Sequence, residues 1–176
     1  MPLAAEDVEI APATQAERPL IAGMLQFYFY DFSEMEPRGS DSMELEASGQ
    51  FGAYLDLADY WRDPSRAPLI IRRRGRPAGF ALLDASSHSG RTVDRNMAEF
   101  FVMRKHRRGG VAATAVREIL ARHPGRWEIA VAARNTGALA FWPRAIAATP
   151  GLRDLTTLEG DGVRWTGPIH AFTVAG

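Results

Sequence analysis

The sequence predicts an α/β (α+β) fold, in which a central mixed sheet of about six to seven strands is flanked by about four helices. Two apolar runs, 68–73 and 77–83, joined by a glycine-containing turn at 74–76, are typical of an antiparallel hairpin. A strand–helix–strand order over residues 96–132 implies parallel pairing in the same sheet. The chain has 176 residues and 46% apolar content, so we expect one domain, residues 1–176, with a sizeable core.

The N-terminal part predicts a strand followed by a helix. Val8–Pro12 is a short strand candidate, and Thr14 with Glu17 three residues later forms a capping-box pattern. Residues 27–37 end the helix, and residues 44–57 predict a second, weaker helix or a loop. Apolar residues of the first helix recur at spacings of three and four, which places them on one face: Leu20, Ile21, Met24, Leu25 and Tyr28.

The elements after the hairpin follow from periodicity and from turn residues. Ser86–Arg91 predicts a turn, and Asn96–Met103 predicts a buried strand, because Glu99 is the only charged residue in an otherwise almost continuous apolar run. A helix with a period near 3.6 follows the glycine pair at 109–110 and ends at His123-Pro124-Gly125. The remaining predictions are strands at 127–132 and 152–158 and a helix from Asn135 to Ile146, and residues 165–174 close the chain.

Composition excludes several classes of protein. The chain has no cysteine, which excludes disulfides, thiolate metal sites and a cysteine nucleophile. The four histidines are scattered without an i, i+4 pair, so we expect no metal site. The N-terminal residues include early acids and no long apolar run, so we expect no signal peptide, no membrane span and a cytoplasmic location.

The net charge is zero, but charge is divided along the chain. Residues 1–60 contain 12 acidic and 2 basic residues, and residues 61–176 contain 9 acidic and 19 basic residues. The arginine-rich part suits an anionic ligand such as a phosphate-bearing cofactor. Mutual attraction of the two parts, or genome composition, would also explain the division. Without an overall positive charge or a basic-aromatic repeat, we expect no nucleic-acid partner.

Residues 107–112, which we call the cradle loop, lie between a predicted strand and a predicted helix. Backbone N–H groups at a helix N-terminus are unpaired and carry partial positive charge, and small residues let a pyrophosphate approach them. The loop matches neither the dinucleotide fingerprint nor the nucleotide-triphosphate loop. A structural turn is the alternative interpretation. The loop consists of Arg107, Arg108, Gly109, Gly110, Val111 and Ala112.

This segment resembles motif A of the GNAT-type N-acetyltransferase superfamily, whose pattern is [Q/R]-x-x-G-x-[G/A] after a strand ending in an apolar-Val pair. Here Arg107, Gly110 and Ala112 follow Phe101-Val102. A second family pattern, Asn-x-x-Ala-x-x-Phe-[Tyr/Trp], matches a later segment, and the resemblance covers roughly residues 68–147. The later segment supplies Asn135, Ala138, Phe141 and Trp142.

The resemblance implies acetyl transfer from acetyl-CoA to an amine by direct attack in a ternary complex. The cradle loop would bind the pyrophosphate, and the family frequently forms homodimers. The resemblance implies a further set of cofactor contacts: Phe101, Val102 and Met103 to the pantetheine arm through their backbone, Asn135 to the pantetheine or cofactor, and Phe141 and Trp142 beside the thiol end. Plain core packing is the alternative for the last two residues.

Acetyl transfer also needs a base and an acid. Glu99 is the first candidate base, because a carboxyl group in an apolar strand has a raised pKa. The alternative is that Glu99 faces solvent or an arginine, and Asp31 and Glu34 are the second candidates. Many family members have a tyrosine as general acid where Trp142 stands, and an indole N–H cannot release its proton at a useful pKa. Tyr28, Tyr30, water or unassisted departure of the thiolate are the alternatives.

The segment between the first helix and the hairpin is acidic. Residues 27–59 contain eight acids and one base, and this segment usually lines the acceptor site in the family. A small cationic amine is therefore expected, such as an aminoglycoside, a polyamine or a basic amino-acid derivative, with a solvated acidic face or an aromatic amine as alternatives. A non-catalytic acyl-CoA sensor and a protein N-acetyltransferase are the other functions considered. The candidate acceptor contacts are Tyr28, Tyr30, Asp31 and Glu34.

Overall fold

The computed structural model describes residues 7–52 and 56–176, and these residues form one seven-stranded sheet with helices on both faces. The helices are Arg18–Ser33 (α1), Asp59–Arg62 (α2), Val111–Arg122 (α3) and Thr136–Ala147 (α4). The strands are Val8–Pro12 (β1), Ala67–Arg73 (β2), Arg76–Asp84 (β3), Arg95–Val102 (β4), Gly125–Ala130 (β5), Leu152–Glu159 (β6) and Pro168–Val174 (β7). The sheet order is β1-β2-β3-β4-β5-β7-β6.

The predicted fold class is confirmed. β4 and β5 are parallel, with α3 between them in the chain, and every other strand pair is antiparallel. The β2–β3 turn has positive φ at Arg74 (51°) and Gly75 (71°), as a two-residue hairpin turn of type I′ requires. The predicted strands are all present, with shifts of up to two residues at their ends, and the closing segment at 165–174 contains β7.

The N-terminal capping box forms as the sequence predicts. Thr14 donates to Glu17 Oε2 from its backbone N and from Oγ1, each at 2.8 Å. A 3₁₀ turn at Gln15–Glu17 precedes α1. The segment 44–57 is a loop over its described residues, where Leu45 and Phe51 form an isolated bridge. Residues 53–55 of that prediction lie outside the described residues.

Apolar side chains cover both faces of the sheet. One cluster packs α3 and α4 against one face, and a second packs α1 and α2 against the other. Ile70 and Ile71 of β2 belong to different clusters, and both are 0% exposed. Because both faces are buried, the central strands have nearly continuous apolar runs rather than an alternating pattern.

A β-bulge in β4 determines the direction of Glu99. In the β3–β4 pairing, Glu99 is opposite Leu82 and Met97 is opposite Leu83, so Ala98 is the extra residue. Residues two apart in a regular strand share a face. The bulge places Met97 and Glu99 on different faces of the sheet. Met97 packs in the α3–α4 cluster, whereas Glu99 contacts α1 through Tyr28.

The predicted turn at 86–91 is fixed by Glu128 of β5, which is 0% exposed. The backbone N of His88 donates to Glu128 Oε2 at 2.9 Å, and the hydroxyls of Ser87 and Ser89 also donate to this carboxylate. These bonds compensate the carboxylate for lost hydration. The described helices include none with the length and apolar character needed to cross a membrane.

Gly79 gives a stability prediction. A Cβ at this position would overlap the carbonyl oxygen of Phe101 and lie 3.0 Å from Val102 Cα, so β4 would have to move away from β3. We expect Gly79→Ala to lower the free energy of unfolding by about 3 kcal/mol, measured by urea denaturation. Gly23→Ala is the control, because no atom lies within 4 Å and alanine in a helix interior stabilises by about 0.5–1 kcal/mol. Equal effects of the two variants would contradict the steric argument.

Candidate active site

Backbone N–H groups without acceptors line the cradle loop. A 3₁₀ turn at Arg104–His106 precedes it, and Arg108 (φ 60°) and Gly110 (φ 82°) adopt the left-handed conformation. The N–H groups of residues 108–113 donate to no acceptor within the described part of the chain. Gly110 is the N-cap of α3 and supplies no capping side chain. The loop therefore has the donors that a pyrophosphate group requires.

β4 and β5 separate before they reach the cradle loop. Their parallel ladder contains two pairs, Arg95–Trp127 and Asn96–Glu128, although β4 continues to Val102. Beyond that ladder β4 pairs with β3 alone among the described strands, and its other edge carries backbone groups without strand partners. A chain with amide groups can bind such an edge as an added strand does. The pantetheine arm has amide groups of this kind, so it suits the space that opens between β4 and β5.

Arg107 fixes the cradle loop to β4 and α1. Its Nε donates to the Val102 carbonyl at 2.7 Å, its Nη2 donates to Asp31 Oδ2, and its guanidinium lies 5.4 Å from the Phe101 ring centroid. Arg104 Nε donates to Asp31 Oδ1 at 2.8 Å. Asp31, with a side chain 12% exposed, therefore binds two arginines of the loop region at once.

Two of the four residues predicted to contact the acceptor lie beside this loop. Asp31 is shared by Arg104 and Arg107, and Glu34 accepts from Arg104 Nη2 at 3.2 Å. The acidic end of α1 thus compensates arginine charge at the cradle loop. Sequence analysis did not identify Arg104 as a site residue. Its position directly after the predicted strand Asn96–Met103 was the only signal for it.

Replacing Asp31 tests this cluster. We expect Asp31→Ala to lower the free energy of unfolding by about 2 kcal/mol, between the values for exposed and fully buried pairs, because Arg107 is 39% and Arg104 62% exposed. Urea denaturation measures it. Glu34→Ala is the control, since a carboxylate 77% exposed should change stability by less than about 0.5 kcal/mol. A double-mutant cycle of Asp31→Ala with Arg107→Ala that shows no coupling would contradict the assignment.

Glu99 is buried on the α1 face of the sheet. It is 8% exposed, and the Tyr28 hydroxyl donates to its Oε2. The Tyr28 ring packs edge-on against Phe101 and Phe80 at centroid distances of 6.0 and 6.1 Å. A carboxylate of β4 and a phenol of α1 are thus in direct contact within aromatic surroundings. β4 is also the strand that leads into the cradle loop.

Tyr60 of α2 is a further group near Glu99 and was missed in the sequence. It is 4% exposed, and burial raises its pKa far above the usual range, with the charges of Asp84 and Glu99 adding to the effect. The Arg66 guanidinium lies 5.2 Å from its ring centroid. The hydroxyl therefore stays protonated at neutral pH. Periodicity could not reveal Tyr60, because α2 is only four residues long.

Aromatic residues of β4 and α4 meet on the opposite face. Phe100 stacks on Phe141 at 6.3 Å and contacts Trp142 edge-on at 5.3 Å. Trp142 is 6% exposed and belongs to the α3–α4 cluster. Asn135 caps α4, since its Oδ1 accepts from Ala138 N at 2.9 Å, and its Nδ2 donates to no acceptor among the described residues. Phe141 and Trp142 thus pack in the α3–α4 cluster, as the core-packing alternative for them predicted.

A shallow cavity of about 490 Å³ lies beyond the C-terminal end of α1. Tyr30 and Phe51 line it with Glu34, Glu36 and Glu44. Tyr30 therefore lines a different site from Tyr28, which contacts Glu99. Glu36 accepts from Arg134 at 3.1 Å.

Within residues 7–52 and 56–176, no group of three or more metal-binding side chains could hold a metal ion.

The groups brought together at the site are N–H donors, a buried carboxylate–phenol pair and an open strand edge. These groups can bind a phosphate-bearing chain and accept a proton beside it.

Comparison with known proteins identifies the family. The model of the acetyltransferase (GNAT) family matches residues 28–146, which include α1 from Tyr28 onward, the cradle loop and most of α4. A comparison with curated protein sequences gives no significant match.

Solved structures share the fold at low sequence identity. An acetyltransferase from Thermus thermophilus has a TM-score of 0.64 and 17% identity, over 97% of each chain. Spermidine N-acetyltransferase from Vibrio cholerae, in complex with CoA and spermine, has a TM-score of 0.55 and 12% identity, over 96% of this chain and 95% of that one. A GNAT family acetyltransferase from Elizabethkingia anophelis with acetyl-CoA bound has a TM-score of 0.53 and 12% identity, over 97% and 99%.

These likenesses show the fold, and the family match covers most of the chain, including the cradle loop and the open edge of β4. The protein belongs to the acetyltransferase (GNAT) family and is an acetyl-CoA-dependent N-acetyltransferase.

Proposed function

We propose that the protein transfers the acetyl group of acetyl-CoA to the primary amine of a small molecule, by direct attack in a ternary complex. The observation that carries this proposal is the position of Glu99. This buried carboxylate, bound by Tyr28, lies on the strand whose end leads into the acceptor-free N–H groups of residues 108–113. A proton acceptor and a phosphate-binding loop are therefore joined by one rigid element.

Residues of β4, the cradle loop and α4 would bind the cofactor. The edge of β4 that faces away from β3, near Phe101, Val102 and Met103, suits the amides of pantetheine, although the Val102 carbonyl already accepts from Arg107. The N–H groups of the cradle loop suit the pyrophosphate. The Nδ2 of Asn135 is available to an acceptor at the start of α4. When bound, acetyl-CoA supplies a thioester whose carbonyl carbon is open to an amine.

Glu99 would accept the proton that the ammonium group must lose before its nitrogen can attack. The Tyr28 hydroxyl donates to the carboxylate and so fixes its orientation. In the balanced reaction a C–N bond forms and the C–S bond breaks. Glu99 takes the first proton, from the ammonium group, and the second proton, which the nitrogen loses after the attack, passes through Tyr28 or water to the leaving thiolate. Trp142 can donate a hydrogen bond but not the proton.

The acceptor class is proposed from charge. The cavity beyond α1 combines carboxylates with aromatic rings, and both attract ammonium groups. Glu44 has no ion-pair partner among the described residues, so its charge remains available. A small cationic amine is consistent with these groups, and spermine is bound in the structure of the spermidine N-acetyltransferase.

A non-catalytic acyl-CoA sensor is the second candidate, favoured by Trp142 at the usual tyrosine position. Release of CoA measured with a thiol reagent, over a panel of polyamines, aminoglycosides, aromatic amines and peptides, separates the candidates. Amine-stimulated release with polyamines or aminoglycosides is the expected result. Release with peptides alone would indicate a protein N-acetyltransferase, and binding of acetyl-CoA without release with any amine would indicate the sensor.

We also propose that residues 1–176 form one domain, because both apolar clusters pack on the same sheet. Homodimerisation, a cytoplasmic location and the absence of a nucleic-acid partner stay predictions. A single cooperative unfolding transition and one sedimenting species of twice the chain mass are the results expected for the domain and the dimer.

A further inference from the structure

A second cavity, of about 330 Å³ and lined by basic residues, lies next to the cradle loop. Two separate segments form it: the β2–β3 hairpin turn and the 3₁₀ turn that precedes the cradle loop. Among residues 7–52 and 56–176, no acidic residue lines it. The lining residues are Arg73, Arg74, Arg76, Lys105 and His106.

Most of the positive charge in this cavity has no ion-pair partner among the residues that the structure describes. Arg74 binds Asp7 through two hydrogen bonds of 3.1 Å. Arg73, Arg76 and Lys105 form no ion pair with any described residue, in contrast to Arg104 and Arg107 on the other side of the loop. Cations brought together without counter-charge repel one another, and a bound anion relieves this repulsion.

Two buried polar atoms at this cavity also lack partners. The Nε of Arg73 and the Nδ1 of His106 are buried and form no hydrogen bond in the described part of the chain. Burial, with the charges of Arg73 and Lys105, lowers the pKa of His106. A buried unpaired donor costs about 1–3 kcal/mol, so these atoms favour a ligand that brings acceptors to them.

We infer that this cavity binds the 3′-phosphate on the ribose of acetyl-CoA. Lys105 and His106 directly precede the cradle loop, and the ribose that carries the 3′-phosphate is bonded to the pyrophosphate that the loop is proposed to bind. A phosphomonoester dianion matches arginine and lysine donors in charge and geometry. The inference rests on the use of acetyl-CoA and adds the residues that select it over its dephosphorylated form.

Isothermal titration with CoA and with 3′-dephospho-CoA tests the inference. We expect the wild-type protein to bind CoA about 10-fold or more tightly than 3′-dephospho-CoA, as one or two charge-assisted hydrogen bonds provide. In the Arg76→Ala/Lys105→Ala variant, this preference should fall to about 2-fold or less, with little change in affinity for 3′-dephospho-CoA. Both side chains are exposed, so the fold should be unaffected. Arg117→Ala, an exposed arginine of α3, is the control and should keep the preference.

Each other outcome has a distinct meaning. A wild-type protein that binds both compounds equally, or a variant that loses affinity for both in the same proportion, would overturn the inference. Failure to bind either compound would overturn the proposed cofactor site instead. Adenosine 3′,5′-bisphosphate should compete with CoA better than adenosine 5′-diphosphate does. Competition by millimolar inorganic phosphate, without discrimination between the two nucleotides, would assign the cavity to a free anion and overturn the inference.

Discussion

Replacement of Glu99 by glutamine should lower kcat for amine acetylation by about 10²- to 10⁴-fold, the usual contribution of a general base. Glutamine has nearly the same shape and still accepts a hydrogen bond from Tyr28, but it cannot take a proton from the attacking amine. Binding of acetyl-CoA should be unchanged, because its proposed contacts are backbone groups of β4 and the cradle loop. Steady-state kinetics with titration calorimetry on the same protein separates the two effects.

A pH profile distinguishes proton transfer from structural damage. As the pH approaches the pKa of the amine substrate, more of the amine is already deprotonated, so the deficit of Glu99→Gln should narrow. A deficit that stays constant with pH would indicate that Glu99 only maintains the site. Glu128→Gln is the matched control, because it also changes a buried carboxylate and should leave kcat within about 3-fold of wild type.

The Tyr28→Phe variant distinguishes the catalytic role of Tyr28 from that of Glu99. It removes the hydroxyl that donates to Glu99 but leaves the ring in contact with Phe80 and Phe101. A role in orienting the base gives a smaller loss of kcat than Glu99→Gln. A role as the acid for the thiolate gives a comparable loss that shrinks with an acyl donor whose leaving group is more acidic.

The sequence could show that Glu99 is special but not where it points. Its isolation among apolar residues predicted a buried strand, which the structure confirms. The bulge at Ala98 then reverses the alternation of side chains, so Glu99 faces α1 while Met97 faces the other cluster. A one-residue bulge depends on pairing with β3, and such pairing leaves no local signal in the sequence of β4.

Contacts between distant segments were also beyond sequence reasoning. Arg107 matches the family pattern, but its binding to Asp31 joins residues 76 positions apart. The basic cavity brings Arg73 and Arg76 of a hairpin next to Lys105 of another turn. The division of charge along the chain predicted an anionic ligand, but only the fold determines which cations lie together and which have acidic partners.

Substitution of Gly110 by glutamate should weaken acetyl-CoA binding by at least about 100-fold, because it places a like charge where the pyrophosphate is expected and obstructs the N–H groups. The left-handed backbone at Gly110, φ 82°, adds roughly 1–2 kcal/mol of strain for any other residue. Isothermal titration measures affinity, and circular dichroism checks that the variant is folded.

Two further variants separate the effect of the added charge on acetyl-CoA binding from the effect of backbone strain. Gly162→Glu adds the same charge at a similar φ of 74°, with no atom within 4 Å, and it should bind acetyl-CoA as the wild type does. Gly110→Ala introduces the strain without the charge, so it should lower stability but weaken acetyl-CoA binding by only about 10-fold or less.

If a folded Gly110→Glu variant binds acetyl-CoA normally, the N–H groups of residues 108–113 do not bind the pyrophosphate. The proposals for the 3′-phosphate and for proton transfer at Glu99 would then both need a different path for the cofactor, since each places it between the cradle loop and the open edge of β4.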